Sequence, residues 1–145
     1  MSASLASDFR SATHHCATQL SDNATYIERE LPALHLPPDL RTAVLALCSD
    51  LHSTQHDLQS ELDDWLDAPS TSPVTDADRI DRLIRWLEPD LHKLNALVER
   101  LHQAPEADPR CGLACLLVTE SATHILQSAT AMSAAAEQHR LATSA

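Results

Sequence analysis

Apolar residues recur at steps of three and four through four long segments of this chain, and proline-bearing breaks separate the segments. That period places each apolar set along one face of an α-helix. The first stripe runs through Leu5, Phe9, Ala12, Cys16, Leu20, Ala24, Ile27 and Leu31. The break Leu34-His35-Leu36-Pro37-Pro38 cannot continue it, because neither proline has an amide to donate. The second stripe begins where Pro38 suits a first helical position, and runs Leu40, Val44, Leu47, Cys48, Leu51, Leu58, Leu62 and Trp65. Residues 68–73 read as a turn-rich linker, after which Thr75 and Asp78 resemble a capping box. The third stripe is Ile80, Leu83, Ile84, Leu87, Leu91, Leu94, Leu97, Val98 and Leu101. Pro89 interrupts it, and an interior proline costs about 3 kcal/mol and one backbone hydrogen bond, so a kink is expected there. Asp108-Pro109 reads as an N-cap and first helical residue. The fourth stripe then carries Cys111, Cys115, Val118, Ala122, Ile125, Ala129, Met132 and Ala136, with fraying expected after His139.

These patterns predict an all-α chain with helices at about 4–31, 38–67, 76–103 and 109–140. The length of 145 residues suits a single domain. Short connections between long amphipathic helices favour a four-helix antiparallel bundle of up-down-up-down order. Two copies joining into a larger bundle, a homodimer, is the other assembly the pattern allows. Gly112 is the one glycine, which leaves little material for tight hairpins or phosphate-cradling loops.

The net charge is −11, from 21 acidic and 10 basic residues. Direct binding to nucleic acid or to an anionic membrane needs a basic footprint, so neither partner is expected. No run resembles a signal peptide or a membrane span, and the expected location is the cytoplasm, where Cys16, Cys48, Cys111 and Cys115 stay reduced. Walker, zincin, nucleophile-elbow and kinase motifs are missing from the sequence, no cofactor is implied, and a non-catalytic role is expected.

Three constellations could carry function. His52/His56, Glu88/His92 and Glu120/His124 are i, i+4 pairs near the middles of their helices, and His14, His15 and Cys16 are near the middle of the first. In an antiparallel bundle these lie at one height, the way bundle metal sites are built. They flank the apolar stripes, however, where histidine is commonly a partly buried structural residue. The cysteines lie on or beside stripes, which fits small core residues. Cys111 and Cys115 lie one turn apart at a helix start, where the positive dipole end would lower a thiol pKa, and with His102 across the connection they form the candidate thiolate metal or redox site.

The third constellation is acidic. Residues 50–67 hold Asp50, Asp57, Glu61, Asp63, Asp64 and Asp67 with no Lys or Arg, in the half of the second helix where the dipole favours cations. Asp57/Glu61 and Asp63/Asp67 add repulsion at i, i+4. A solvated face, neutralised by Arg79, Arg82 and Arg85, would explain this without any partner. The functional expectation is a docking face for a protein partner with a basic surface, made of Asp57, Glu61, Asp63, Asp64 and Asp67 with Trp65 and Leu66 as apolar anchors. That describes an inhibitor, antitoxin, immunity or chaperone type of protein, with carboxylates standing in for phosphates. A metal- or thiol-binding sensor or storage bundle is the alternative.

Overall fold

In the computed structural model, which describes residues 2–67, 73–107 and 111–144, the chain forms four helices and, among the described residues, no strand. Helix α1 spans Ser2–Glu30, α2 Pro38–Asp67, α3 Pro73–Ala107 and α4 Gly112–Ser144, with a 3-10 turn at Leu31–Ala33 after α1. The main helix contacts are α1 with α2, α2 with α3, α3 with α4 and α4 with α1. No helix is long and apolar enough to cross a membrane among the described residues.

The four stripes meet in the middle. Phe9, Leu20, Leu31, Leu51, Leu58, Trp65, Ile80, Leu83, Leu87, Leu94, Leu101 and Ile125 are the largest fully buried side chains. Each buried Leu, Ile or Phe contributes about 1.5–3 kcal/mol relative to an exposed one, so this contiguous core dominates the stability of the helices. Phe9 meets Trp65 with ring centroids 6.1 Å apart and planes tilted by 48°. The Arg10 and Arg79 guanidinium groups lie 5.2 and 5.7 Å from the Trp65 ring centroid.

The α1–α2 connection is held by a residue that the periodicity does not single out. Arg41 donates from its two terminal nitrogens to the carbonyls of Leu31 (3.2 Å) and Leu34 (2.8 Å). Carbonyls at a helix end have no intrahelical partner, and a cationic side chain is well suited to meet them. The first backbone bond of α2 runs from Arg41 N to Pro37 O (2.9 Å), so Pro38 takes the first helical position.

Several expected boundaries move. Helix α3 begins at Pro73, so Thr75 lies inside the helix and is not its N-cap. A proline with its preset φ starts a helix without needing a donor, which explains the earlier start. Helix α3 continues through Pro89 and reaches Ala107, and α4 continues past His139 to Ser144. The Asp108-Pro109 cap and most of the linker at 68–72 lie outside the described residues.

Candidate functional site

The acidic half of α2 divides into three environments. Glu61 sits at the α2–α3 seam, where Oε1 is 3.0 Å from Arg82 Nη1, and its side chain is only 14% exposed. Asp57, Asp63 and Asp64 are exposed. Among the described residues none of these three has a Lys or Arg within ion-pair distance. Asp63 does accept from Gln59 Nε2 (3.0 Å), and Gln59 Oε1 in turn accepts from His14 Nδ1 of α1 (3.2 Å). The side chains of Leu66 and Asp67 lie outside the described residues. The last turn of α2 contains no basic residue of its own, and the cations near it are Arg10 of α1 and Arg79 of α3, both over the Trp65 ring.

The three arginines that could neutralise this surface are occupied in different ways. Arg82 holds Glu61, Arg79 lies over the Trp65 ring, and Arg85 Nε donates to the Asp81 carbonyl (3.4 Å). One carboxylate is thus answered across the seam, while among the described residues no Lys or Arg pairs with the outward aspartates.

Trp65 must be removed from the expected docking face. It is 2% exposed and packs on Phe9 in the core. Its place on the apolar stripe already pointed inward, and burial of a large aromatic outweighs its neighbourhood of charges.

The mid-helix histidines and carboxylates do not assemble. Among the described residues no group of three His, Cys, Asp or Glu side chains is close enough to hold a metal ion. His52 Nε2 donates to Glu28 Oε1 (3.0 Å), while His56 of α2, Glu88 and His92 of α3, and Glu120 and His124 of α4 are exposed. A shared height along the bundle does not give a shared azimuth, and among the described residues these side chains do not come together as a ligand set. At Cys16, Cys48 and Cys115 the thiol pKa is raised, not lowered. All four cysteines are buried and none forms a disulfide. Burial pushes Cys16 up to about 11, against a smaller lowering by a Ser128 hydrogen bond. Cys48 is pushed up to about 12 by burial first and then by the Glu28 charge. At Cys115 burial, with Cys111 beside it, raises the thiol, so the helix start does not produce a thiolate. Cys115 Sγ instead donates to the Leu101 carbonyl (3.1 Å).

A family-model scan and comparisons with curated proteins and with solved structures return no match.

One polar site was missed in the sequence. Asp90 is 5% exposed and accepts a hydrogen bond from Thr54 Oγ1 across the α2–α3 interface. Burial pushes its carboxyl above the ordinary range; Thr54 lowers it, Asp50 raises it and Lys93 lowers it, in that order of size. Next to it, Lys93 Nζ donates to Asp50 Oδ2 (2.8 Å), which raises the Lys93 ammonium pKa. The signal was visible: Asp90 lies in step with Leu83, Leu87 and Leu94 on the apolar stripe. A carboxylate in that register is buried unless the stripe turns away from the core.

Proposed function

We propose that this chain is a non-catalytic protein that binds and modulates a protein partner with a basic surface, through Asp57, Asp63 and Asp64 of α2. The observation that carries this reading is the exposure of those aspartates with no Lys or Arg within ion-pair distance among the described residues, while Arg82 is held by Glu61, Arg79 by the Trp65 ring and Arg85 by the Asp81 carbonyl. Glu61 is a lesser contributor, because Arg82 already holds it. Without Trp65 as an anchor the face is polar, so attraction is long-ranged and the complex is salt-sensitive. Carboxylates spaced along a helix would stand in for phosphates in a basic groove, as an inhibitor, antitoxin, immunity or chaperone-type protein requires. Asp67, on the same turn series, belongs to the proposed face by sequence alone.

The frame behind this face is proposed to be a single-domain antiparallel bundle of up-down-up-down order. Cross-helix partners support it. Along α2, Glu61, Thr54, Asp50 and Asp39 meet Arg82, Asp90, Lys93 and Arg100 of α3, so one number falls as the other rises. His14 meets Gln59 and Glu28 meets His52, while Arg140 meets Asp81 (2.5 Å) and Cys115 meets Leu101, with the same sense. A bend in α3 at Pro89 is part of the same proposal, since the ring crowds the Arg85 carbonyl. The expected setting is the cytoplasm.

The test compares two baits, the native chain and the triple variant Asp57→Asn, Asp63→Asn, Asp64→Asn, each mixed with extract from its own source at low and high salt. A protein held by the native chain, released by salt and not held by the variant supports the reading. Equal retention by both baits removes this face from consideration.

A further inference from the structure

Helices α2 and α3 present the same short pattern to each other over part of their seam. Ala43, Ala46, Leu47 and Asp50 of α2 line a groove at steps of three and four, and so do Lys93, Ala96, Leu97 and Arg100 of α3. Leu47 and Leu97 are buried and form the floor, while Ala46 and Ala96 are exposed and too short to close over it. Further along, polar bridges shut the seam, Thr54 to Asp90 and Glu61 to Arg82. The groove holds about 420 Å³, a volume suited to a small ligand. Its two ends differ. At one, Lys93 Nζ is bound to Asp50 Oδ2 at 2.8 Å. At the other, Arg100 Nη2 stands 3.6 Å from Asp39 Oδ2, too far for a hydrogen bond, and the Asp39 side chain is 75% exposed. Asp39 lies in the first turn of α2, where the helix dipole is positive.

We infer that this groove binds a medium-chain monocarboxylate, its carboxylate on Arg100 and its alkyl chain laid over Leu97 and Leu47 toward Lys93. Charge selects the head group. The chain carries −11, so an anion is repelled over most of the surface and binds only where a local cation outweighs that field. Arg100 is such a cation, and its planar fork matches both oxygens of a carboxylate. The ligand displaces Asp39, whose exposed and loosely held side chain turns to water at little cost. The start of α2 adds its positive dipole end at the same place. Lys93 is already neutralised by Asp50, so the far end offers no second anion site and the ligand lies in one direction. Between the ends the lining is alanine and leucine, which suits an alkyl chain and offers a polar one no partner.

Length selects the chain. From Lys93 to Arg100 the groove runs about 10 Å at 1.5 Å per residue. An extended alkyl chain advances about 1.25 Å per C–C bond, so about eight to ten carbons fill it. A longer tail passes the Lys93–Asp50 pair and gains nothing from the groove. Because Ala46 and Ala96 leave the groove open to solvent, part of the alkyl chain stays wet and the expected dissociation constant is about 0.1 mM. The site shares no residue with Asp57, Asp63 and Asp64, and the inference does not rest on the acidic face they form.

Titration calorimetry of the full chain with sodium decanoate tests the inference, with decylammonium as a control of equal length and opposite charge. Decanoate should bind saturably, one per chain, and the amide shifts it causes should centre on residues 43–50 and 93–100. Arg100→Gln removes the cation and should raise the dissociation constant about tenfold. Ala96→Leu fills the groove from an exposed position, so it should keep the native melting temperature and abolish decanoate binding. Heats that show no saturation up to about 1 mM overturn the inference. Binding that is undiminished in Ala96→Leu or in Arg100→Gln overturns it too, as does decylammonium binding as tightly as decanoate.

Discussion

Replacing Thr54 with valine keeps the side-chain shape and removes the hydroxyl that donates to Asp90 between α2 and α3. Asp90 is 5% exposed, so water cannot replace the lost donor without opening the seam. A hydrogen bond to a charged group contributes about 1.5–3 kcal/mol net. For 145 residues, about 3–4 °C in melting temperature accompanies each kcal/mol, so Thr54→Val should melt roughly 5–10 °C below the native chain at neutral pH. The pH dependence follows from the direction of the Asp90 shift. Burial raises its folded-state pKa, so the folded chain holds this proton more tightly than the unfolded chain does. That contribution is fully present below the unfolded carboxylate pKa and is lost as pH rises through the folded pKa of Asp90. Losing the Thr54 bond raises the folded pKa further, so the penalty is largest where Asp90 is ionised. It should shrink toward about 1 kcal/mol in acid, where only a neutral hydrogen bond is at stake. Asp90→Asn keeps an acceptor for Thr54 and never ionises. Its stability should lack this decline with pH and should equal or exceed the native value at neutral pH. Circular-dichroism melts of the three chains across pH provide the comparison. A Thr54→Val chain melting within about 2 °C of native at neutral pH, or a penalty that ignores pH, would refute the reasoning.

Three further outcomes are expected. Trp65→Ala should destabilise by about 3–5 kcal/mol, since the ring is core and not anchor, and a denaturant titration showing under about 1 kcal/mol would contradict its burial. Cys16 and Cys48 should resist a thiol reagent at mildly alkaline pH until denaturant is added, because burial holds them up at about 11 and about 12; prompt labelling of the folded chain would count against this. Added zinc or ferrous iron should leave the melting temperature of the untagged chain unchanged, since the mid-helix histidines and carboxylates stand apart; a rise that grows with metal concentration would reinstate the bundle site.

The stripes were a sound guide to burial because the period of a helix leaves one side for neighbours. Leu20, Leu58, Leu87 and Ile125, read from spacing alone, all lie in the core. The same spacing placed Trp65 inward, and treating it as an anchor gave charge in its neighbourhood too much weight. Height along a helix is legible from numbering, while azimuth between helices depends on packing. That difference explains why His52, Glu88 and Glu120 share a height in the numbering and yet form no common ligand set among the described residues. The Arg41 closure of the α1–α2 turn was hidden, because its acceptors are backbone carbonyls that exist as a pair only after the turn forms. Asp90 was visible as a break in the pattern, a carboxylate on a stripe.

The account of function depends on Asp57, Asp63 and Asp64 drawing a basic partner more strongly than the rest of an acidic surface does. Amide chemical-shift mapping with a lysine- and arginine-rich peptide measures that preference residue by residue. The largest shifts should fall between residues 53 and 64 of α2, and should vanish in the triple asparagine variant. Shifts spread evenly over the molecule, or centred on α4, would contradict it.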